Sequence, residues 1–359
     1  MSSMKALITQ GDGVVSVEST TIPTPGPGEV LVKVHYSALN PTDWKSVKGS
    51  PPIAPPAPAS LIVGADFAGT IEDPNGSAWS KGQRVAGFVQ GTSQNGTPAN
   101  PIRGGYAEYI PVEASLLFEV PDNVELKSAA TVGLALGTAV QALYQRLGLP
   151  EPGSEKGPEE WVLIYGGATS VGNYAIQLAK LSGLKVITTA SPKNHSFLKE
   201  LGADVVIDYH GEWVEEVKRV TGGKLKRAFD TVSEHGSTLK IAQALEGGEG
   251  DHVLTLIPLM PPAKEEIKAV NPWAKIEWTI VYTVFERALP FRFDNCGDET
   301  PEDKKVWEKY LKLLPQLLSN GDLKTSKVRE LGGLETVVEG FKLSEEGKIS
   351  NEKLVFKVL

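Results

Sequence analysis

Three glycines, Gly166, Gly167 and Gly172, stand between an apolar run and a helical pattern in the stretch WVLIYGGATSVGNYAIQLAKLSG, residues 161–183. Small residues at a tight strand-to-helix turn let a phosphate approach the backbone, and the first amides of the helix, helped by its dipole, bind the negative charge. The chemistry such a turn supports is pyrophosphate binding. In isolation the same glycines suit a tight turn in any α/β unit, so the neighbouring stretches have to decide. Dinucleotide-binding chains carry an acid for the ribose hydroxyl about twenty residues further on. This chain reads Ala190, Ser191, Pro192, Lys193 and Asn194 there. A carboxylate would repel a ribose phosphate, whereas a hydroxyl and an ammonium attract one. Ser191, Lys193 and Asn194, with Tyr209 after a later strand, therefore point to NADPH, although a solvated turn can have the same composition.

The elements around these residues have to place them. Residues 161–165 are an apolar run suited to a strand buried on both faces, and residues 171–181 carry apolar side chains at helical spacing. Strand-like stretches at 185–190, 204–208, 227–232 and 252–257 then alternate with helical ones at 194–201, 212–220 and 237–245. That alternation predicts a doubly wound parallel sheet with helices on its faces. Residues 1–125 lack the rhythm. There, KALITQ and EVLVKVHYSAL read as strands around the turn-rich TPGPGE, residues 40–49 as a turn leading into a short helix, and 90–105 as a long polar loop. Residues 126–147 read as one apolar helix, 261–299 as irregular and aromatic, and 302–318 as an amphipathic helix. The tail, ending EKLVFKVL, is strand-like again. The expected fold class is α/β: a β domain of residues 1–125 and 319–359, interrupted by a Rossmann domain of residues 126–318.

Composition narrows the function classes. The 359 residues carry a net charge of −8, which disfavours a general nucleic-acid binder or a protein held to anionic membrane by charge. Cys296 is the single cysteine, so an internal disulfide and a multi-cysteine zinc cluster are excluded. His35, His195, His210, His235 and His252 show no ligand spacing, and no bound metal is expected. No apolar run has signal-peptide or membrane-spanning character, so a cytoplasmic location is expected.

Together these stretches resemble the medium-chain dehydrogenase/reductase family. The matching residues are the turn at 40–45, GADFAGTIE from Gly64, KGQRVAG from Lys81, GGYAEY from Gly104, LGTAVQAL from Leu136, the glycine elbow, and LGADVVIDY from Leu201. More narrowly, GGATSVGNYAIQLAKLSG, ASPKN and YTVFER look like the fungal trans-acting enoyl reductases that serve polyketide synthases. The resemblance implies a GroES-like β domain around the Rossmann domain. It also implies that Asn40 and Ala65–Asp66 stand where zinc-dependent members keep a cysteine and a His–Glu pair, which places the chain in the zinc-free branch of quinone and enoyl reductases.

Without a Lewis acid to stabilise an alkoxide, the suited reaction is reduction of a carbon–carbon double bond conjugated with a carbonyl. Carried over by resemblance, Thr138 and Val132 would border the nicotinamide, and the backbone near Leu256 and Ile257 would hold its carboxamide. Gly167, Thr169, Ser170, Val171 and Gly172 would meet the pyrophosphate. Asn40, Thr42 and Lys45 would lie on the loop facing the nicotinamide. Lys45 is the candidate to donate a proton or to hydrogen-bond an enolate, with a solvated loop lysine and a proton from solvent as the alternatives. Asp66 would orient Lys45 or satisfy loop amides. The implied substrate is a small or carrier-bound unsaturated acyl group, with a polyketide synthase as partner and neither nucleic acid nor membrane involved. Quinone reduction and a nucleotide-binding partner protein without turnover are the competing readings. Monomer and homodimer both fit.

Overall fold

In the structure, a computed structural model, residues 2–49, 54–154, 160–287, 289 and 301–359 are described. Phe291 and Phe293 of the aromatic stretch, and Cys296, lie outside the described residues. Two compact units divide the described residues: one takes those up to Leu134 and those from Tyr282 on, the other runs from Ala135 to Val281.

The first unit opens with a hairpin of β1 (Ser3–Gly11) and β2 (Val14–Thr21). β3 (Glu29–Ala38) is the spine of this unit's main sheet, and its Val30, Val32, Val34 and Ala38 are wholly buried. α1 (Pro41–Lys48), β4 (Asp66–Asp73), β5 (Arg84–Phe88), β6 (Tyr109–Glu113), β7 (Leu117–Glu119) and α2 (Leu126–Ala129) follow. The polar loop before β6 is folded onto Glu29, whose carboxylate accepts from Thr97 Oγ1 and Asn100 Nδ2, each at 2.6 Å.

The single helix expected over residues 126–147 is broken. α2 stops at Ala129, α3 spans Gly133–Val140, and a π-type turn occupies Gln141–Arg146. The cause lies far off in sequence: the Leu134 amide donates to Asp66 Oδ1 at 2.7 Å, and a Cβ on Gly133 would lie 2.8 Å from the same oxygen.

The second unit continues through β8 (Trp161–Tyr165), α4 (Ser170–Leu181), β9 (Lys185–Thr189), α5 (His195–Glu200), β10 (Val205–Ile207), α6 (Trp213–Thr221), β11 (Arg227–Asp230), α7 (Ser237–Ala244), β12 (His252–Thr255), α8 (Pro261–Val270) and β13 (Lys275–Trp278). The six strands are all parallel, in the order β10-β9-β8-β11-β12-β13. The order reverses between β8 and β11, and the elbow leaves the carboxyl end of β8 beside that reversal, where open α/β sheets bind ligands. Leu163, Ile187, Ala228 and Val253 bury the sheet against Trp213, Val217 and Ile241. α8 and β13 add regular elements to a stretch that reads as irregular. In β13, Lys275 and Glu277 interrupt the apolar pattern, as suits an edge strand.

The chain then returns to the first unit as α9 (Pro301–Asn320), β14 (Val328–Gly332), α10 (Val337–Glu345) and β15 (Lys353–Lys357). The main sheet runs β14-β15-β3-β4-β5-β7, with β6 also on β3. β15 lies antiparallel to the end of β3, pairing Val355 with Ala38. α9 falls within the expected Rossmann segment, but the buried Trp307 ring packs on Phe88 of β5, with centroids 5.9 Å apart. The two compact units meet in sequence near residues 134 and 282. Among the described residues no helix is long and apolar enough to cross a membrane.

Candidate functional site

The elbow is built for close backbone approach. Gly166 has φ 83°, a left-handed conformation that glycine adopts without strain. A Cβ on Gly167 would lie 2.2 Å from Thr188 Oγ1, and one on Gly172 would lie 2.4 Å from the Gly166 carbonyl oxygen. Thr169 caps α4: its Oγ1 accepts from the Gly172 amide at 2.9 Å and lies 2.9 Å from Thr231 Oγ1. The Gly166 and Gly167 amides are bound to Thr189, through Oγ1 and the carbonyl oxygen respectively, both at 3.0 Å. In the first turn of α4 the amides of Ser170 and Val171 are open, positions for which a helix has no internal acceptor. Gly172 contributes space, since its own amide is used inside the turn. This cradle fits a pyrophosphate.

At the carboxyl end of β9 the Ser191 hydroxyl lies 3.1 Å from the Tyr209 hydroxyl, and Lys193 is exposed on the turn that follows Ser191. Asn194 is buried and donates its amide to the Ser191 carbonyl at 3.0 Å. Asp208 is the acid beside Tyr209 in sequence. Its carboxylate accepts from the His210 amide at 3.1 Å and meets the ring Nδ1 at 2.6 Å, bonds that hold its carboxyl below the usual range.

A second pinned loop lies at the ends of β11 and β12. Asp230 is buried and accepts from Ser237 Oγ at 2.6 Å, Thr238 Oγ1 at 2.8 Å and the Ser233 amide at 2.8 Å. Burial raises its pKa against the pull of those donors. Ser233 Oγ in turn accepts from the Leu256 amide at 2.8 Å, and Thr255 Oγ1 donates to the Ile257 carbonyl at 2.8 Å. The backbone at Leu256 and Ile257 is thus fixed, with the Leu256 amide and the Ile257 carbonyl already bonded.

In the first unit the residues 40–45 grow out of a buried polar cluster. Asn40 ends the turn after β3 and is 3% exposed. Its Nδ2 donates to Asp66 Oδ2 at 2.9 Å, and its Oδ1 accepts from Lys353 Nζ at 2.8 Å. Lys353 Nζ also donates to Asp66 Oδ2 at 2.6 Å. The Asn40 amide donates to Asp43 Oδ2 at 2.8 Å, the backward reach of a helix-capping acid, and Tyr106 OH donates to the same oxygen at 2.8 Å. Burial is the main influence on Asp43 and pushes its carboxyl up to about 7. Thr42, the residue before it, accepts from the buried Tyr282 OH at 3.5 Å. Lys45 is half-buried, with Nζ 5.6 Å from the centroid of the Trp44 ring.

The sequence-derived residues therefore lie in both units. Gly167, Thr169, Ser170, Val171 and Gly172 share the elbow of the second unit, and Asn40, Thr42 and Lys45 share the start of α1 in the first. Val132 is wholly buried and Thr138 nearly so. Asp66 was expected to orient Lys45 or to satisfy loop amides. It does take an amide, that of Leu134, but its other oxygen is held by Lys353 and Asn40. Lys353, Tyr106 and Tyr282 were missed. The available signal for Lys353 was Asp66 itself, an acid among apolar neighbours, because a buried carboxylate needs a partner.

The donors at Asn40, Ala65 and Asp66 do not fit a zinc ion. Ala65 offers none, Asn40 Oδ1 and Asp66 Oδ2 already hold an ammonium, and Asp66 Oδ1 takes the Leu134 amide. Among the described residues no group of three or more His, Cys, Asp or Glu is set to hold a metal.

Residues 26–122 match the alcohol dehydrogenase GroES-like domain, and residues 170–274 match the zinc-binding dehydrogenase family. A trans-enoyl reductase of Alternaria alternata is 35% identical over 366 residues, covering 100% of both chains. The chain belongs to the medium-chain dehydrogenase/reductase family. Another relative, a trans-enoyl reductase of Penicillium oxalicum, is 34% identical over 372 residues, covering 99% of this chain and 97% of its own. The quinone oxidoreductase of Coxiella burnetii has a similar structure, with a TM-score of 0.72 and 25% identity over 100% of both chains. Family membership makes this protein an oxidoreductase with a nicotinamide cofactor, even though its residues depart from the zinc ligand set that the second family description evokes.

Proposed function

We propose that this reductase delivers hydride from NADPH to a carbon–carbon double bond conjugated with a carbonyl, in an unsaturated acyl thioester that is free or carried by a polyketide synthase. The observation that carries the cofactor choice is the end of β9, where the Ser191 and Tyr209 hydroxyls meet 3.1 Å apart beside Lys193 with no acid among residues 190–194. Full-length similarity to trans-enoyl reductases supports the acyl substrate.

When bound, the cofactor supplies a hydride from nicotinamide C4 to the substrate β-carbon. The Ser170 and Val171 amides would hold the pyrophosphate, and Ser191, Lys193 and Tyr209 would hold the ribose phosphate. Thr42 and Lys45 donate hydrogen bonds to the carbonyl oxygen as it gains enolate charge, which lowers the barrier. A proton from Lys45 or water then reaches the α-carbon, leaving a saturated thioester and oxidised cofactor. Quinone reduction is the second reading, favoured by the likeness to the Coxiella burnetii enzyme.

Following NADPH absorbance with a panel of unsaturated thioesters, enones and quinones separates the readings. Oxidation by thioesters with a saturated product is expected. Oxidation by quinones alone would favour the second reading, and none with any acceptor would contradict both.

A further inference from the structure

We propose that Lys353 is a positioning residue whose buried ammonium locks Asn40 and Asp66 into one cluster and so fixes the first turn of α1, the carrier of Thr42. The proposal rests on the reading of Thr42 as a group that meets substrate.

Lys353 is the first residue of β15 and is 2% exposed. Its three ammonium protons have three acceptors: Asp66 Oδ2 at 2.6 Å, Asn40 Oδ1 at 2.8 Å and the Thr131 carbonyl at 3.5 Å. Asp66, wholly buried, spends its second oxygen on the Leu134 amide at 2.7 Å. One side-chain cluster thus ties together the end of β3, the starts of β4 and β15, and the start of α3. From Asn40 the chain of bonds runs on through its own amide to Asp43 and from there to Tyr106.

The other end of α1 is held separately. Trp44 Nε1 donates to Ser344 Oγ at 3.0 Å and Lys48 pairs with Glu345 at 2.5 Å, both on α10, while Val47 is buried. From Trp44 onward α1 therefore has its own support, and its first residues, 41–43, are held through the Asn40 cluster.

A buried ion pair is weak evidence for stability, because apolar residues of similar volume commonly replace one without loss. What the pair adds here is direction. The ammonium and carboxylate together fix both the oxygen and the nitrogen of the Asn40 amide group, and so set the rotation of the residue from which α1 departs. Apolar packing at the same place would impose no such orientation.

Two variants separate positioning from bulk stability. Lys353→Met leaves the Asp66 carboxylate unpaired and should lower the melting temperature. Lys353→Met combined with Asp66→Asn removes both charges and should return the melting temperature toward that of the unaltered protein. In the double variant, hydrogen exchange at the Asn40 and Asp43 amides should stay faster than in the parent, with exchange at the end of α1 unchanged. kcat with an unsaturated thioester should stay about 10- to 100-fold down, the cost expected of a misplaced catalytic group, while NADPH affinity is unchanged. Parental exchange at Asn40 and Asp43 in the double variant would overturn the proposal. So would a kcat that recovers together with the melting temperature. Should the parent reduce no acceptor at all, the reaction reading fails, and the exchange result alone still decides the role of Lys353.

Discussion

Replacing Asp43 by asparagine should flatten the pH dependence of stability in the first unit. Asp43 is 3% exposed and accepts hydrogen bonds from the Asn40 amide and Tyr106 OH, with Asp66 and Lys353 as the nearby charges. Burial outweighs the donors and Lys353, raising the carboxyl from 3.8 to about 7. Between these values the folded chain holds a proton that the unfolded chain has released. The stability contributed is therefore complete below about pH 4 and is lost as pH rises through 7. At about 1.4 kcal/mol per unit the whole window amounts to about 4 kcal/mol, more than half of which falls between pH 5 and pH 8. The side-chain amide introduced by Asp43→Asn would keep an oxygen for both donors and carry no charge. Urea unfolding at pH 5, 6, 7 and 8, read by exchange at Asn40 and neighbouring amides, should show the variant gaining on the parent by about 2–3 kcal/mol over that range. Parallel stability curves for the two proteins would refute the account of Asp43 as a buried, neutral-range acid.

Three further outcomes follow from the site. Lys193→Ala should weaken NADPH binding by about tenfold and leave NADH binding unchanged, measured by fluorescence titration. Equal affinity for the two cofactors in the unaltered protein would remove the basis of the phosphate assignment. Gly172→Ala should abolish NADPH binding in a folded protein, because the new Cβ meets the Gly166 carbonyl oxygen at 2.4 Å. Retained tight binding would show that the elbow is not the cradle. Lys45→Ala should lower kcat by about 10- to 100-fold with cofactor affinity unchanged. An unchanged kcat would leave Lys45 an ordinary lysine of α1.

The alternation of strands and helices from residue 161 onward was legible because each element carries its own period and its own turn signals, and the elbow glycines mark the switch from one period to the other. Local pattern failed where a distant residue decides the backbone. The apolar run 126–147 has helical spacing throughout, yet Asp66, far back in the chain, captures the Leu134 amide and ends the continuity. β13 was missed because an edge strand with Lys275 and Glu277 has no apolar run to announce it. Lys353 illustrates the limit most clearly: it lies 287 residues from Asp66 in sequence, and only strand pairing between β15 and β3 brings it to Asn40. Asn40 and Asp66 could be singled out from their types and surroundings. The cation that joins them required the fold.

The central claim is hydride transfer from NADPH to the β-carbon of a conjugated acyl group, and deuterium tracing tests it most directly. NADPH carrying deuterium at the transferable C4 position should give a saturated thioester with one deuterium on the β-carbon and none on the α-carbon. A product without label at the β-carbon, or oxidation of the labelled cofactor with no saturated thioester formed, would contradict the account.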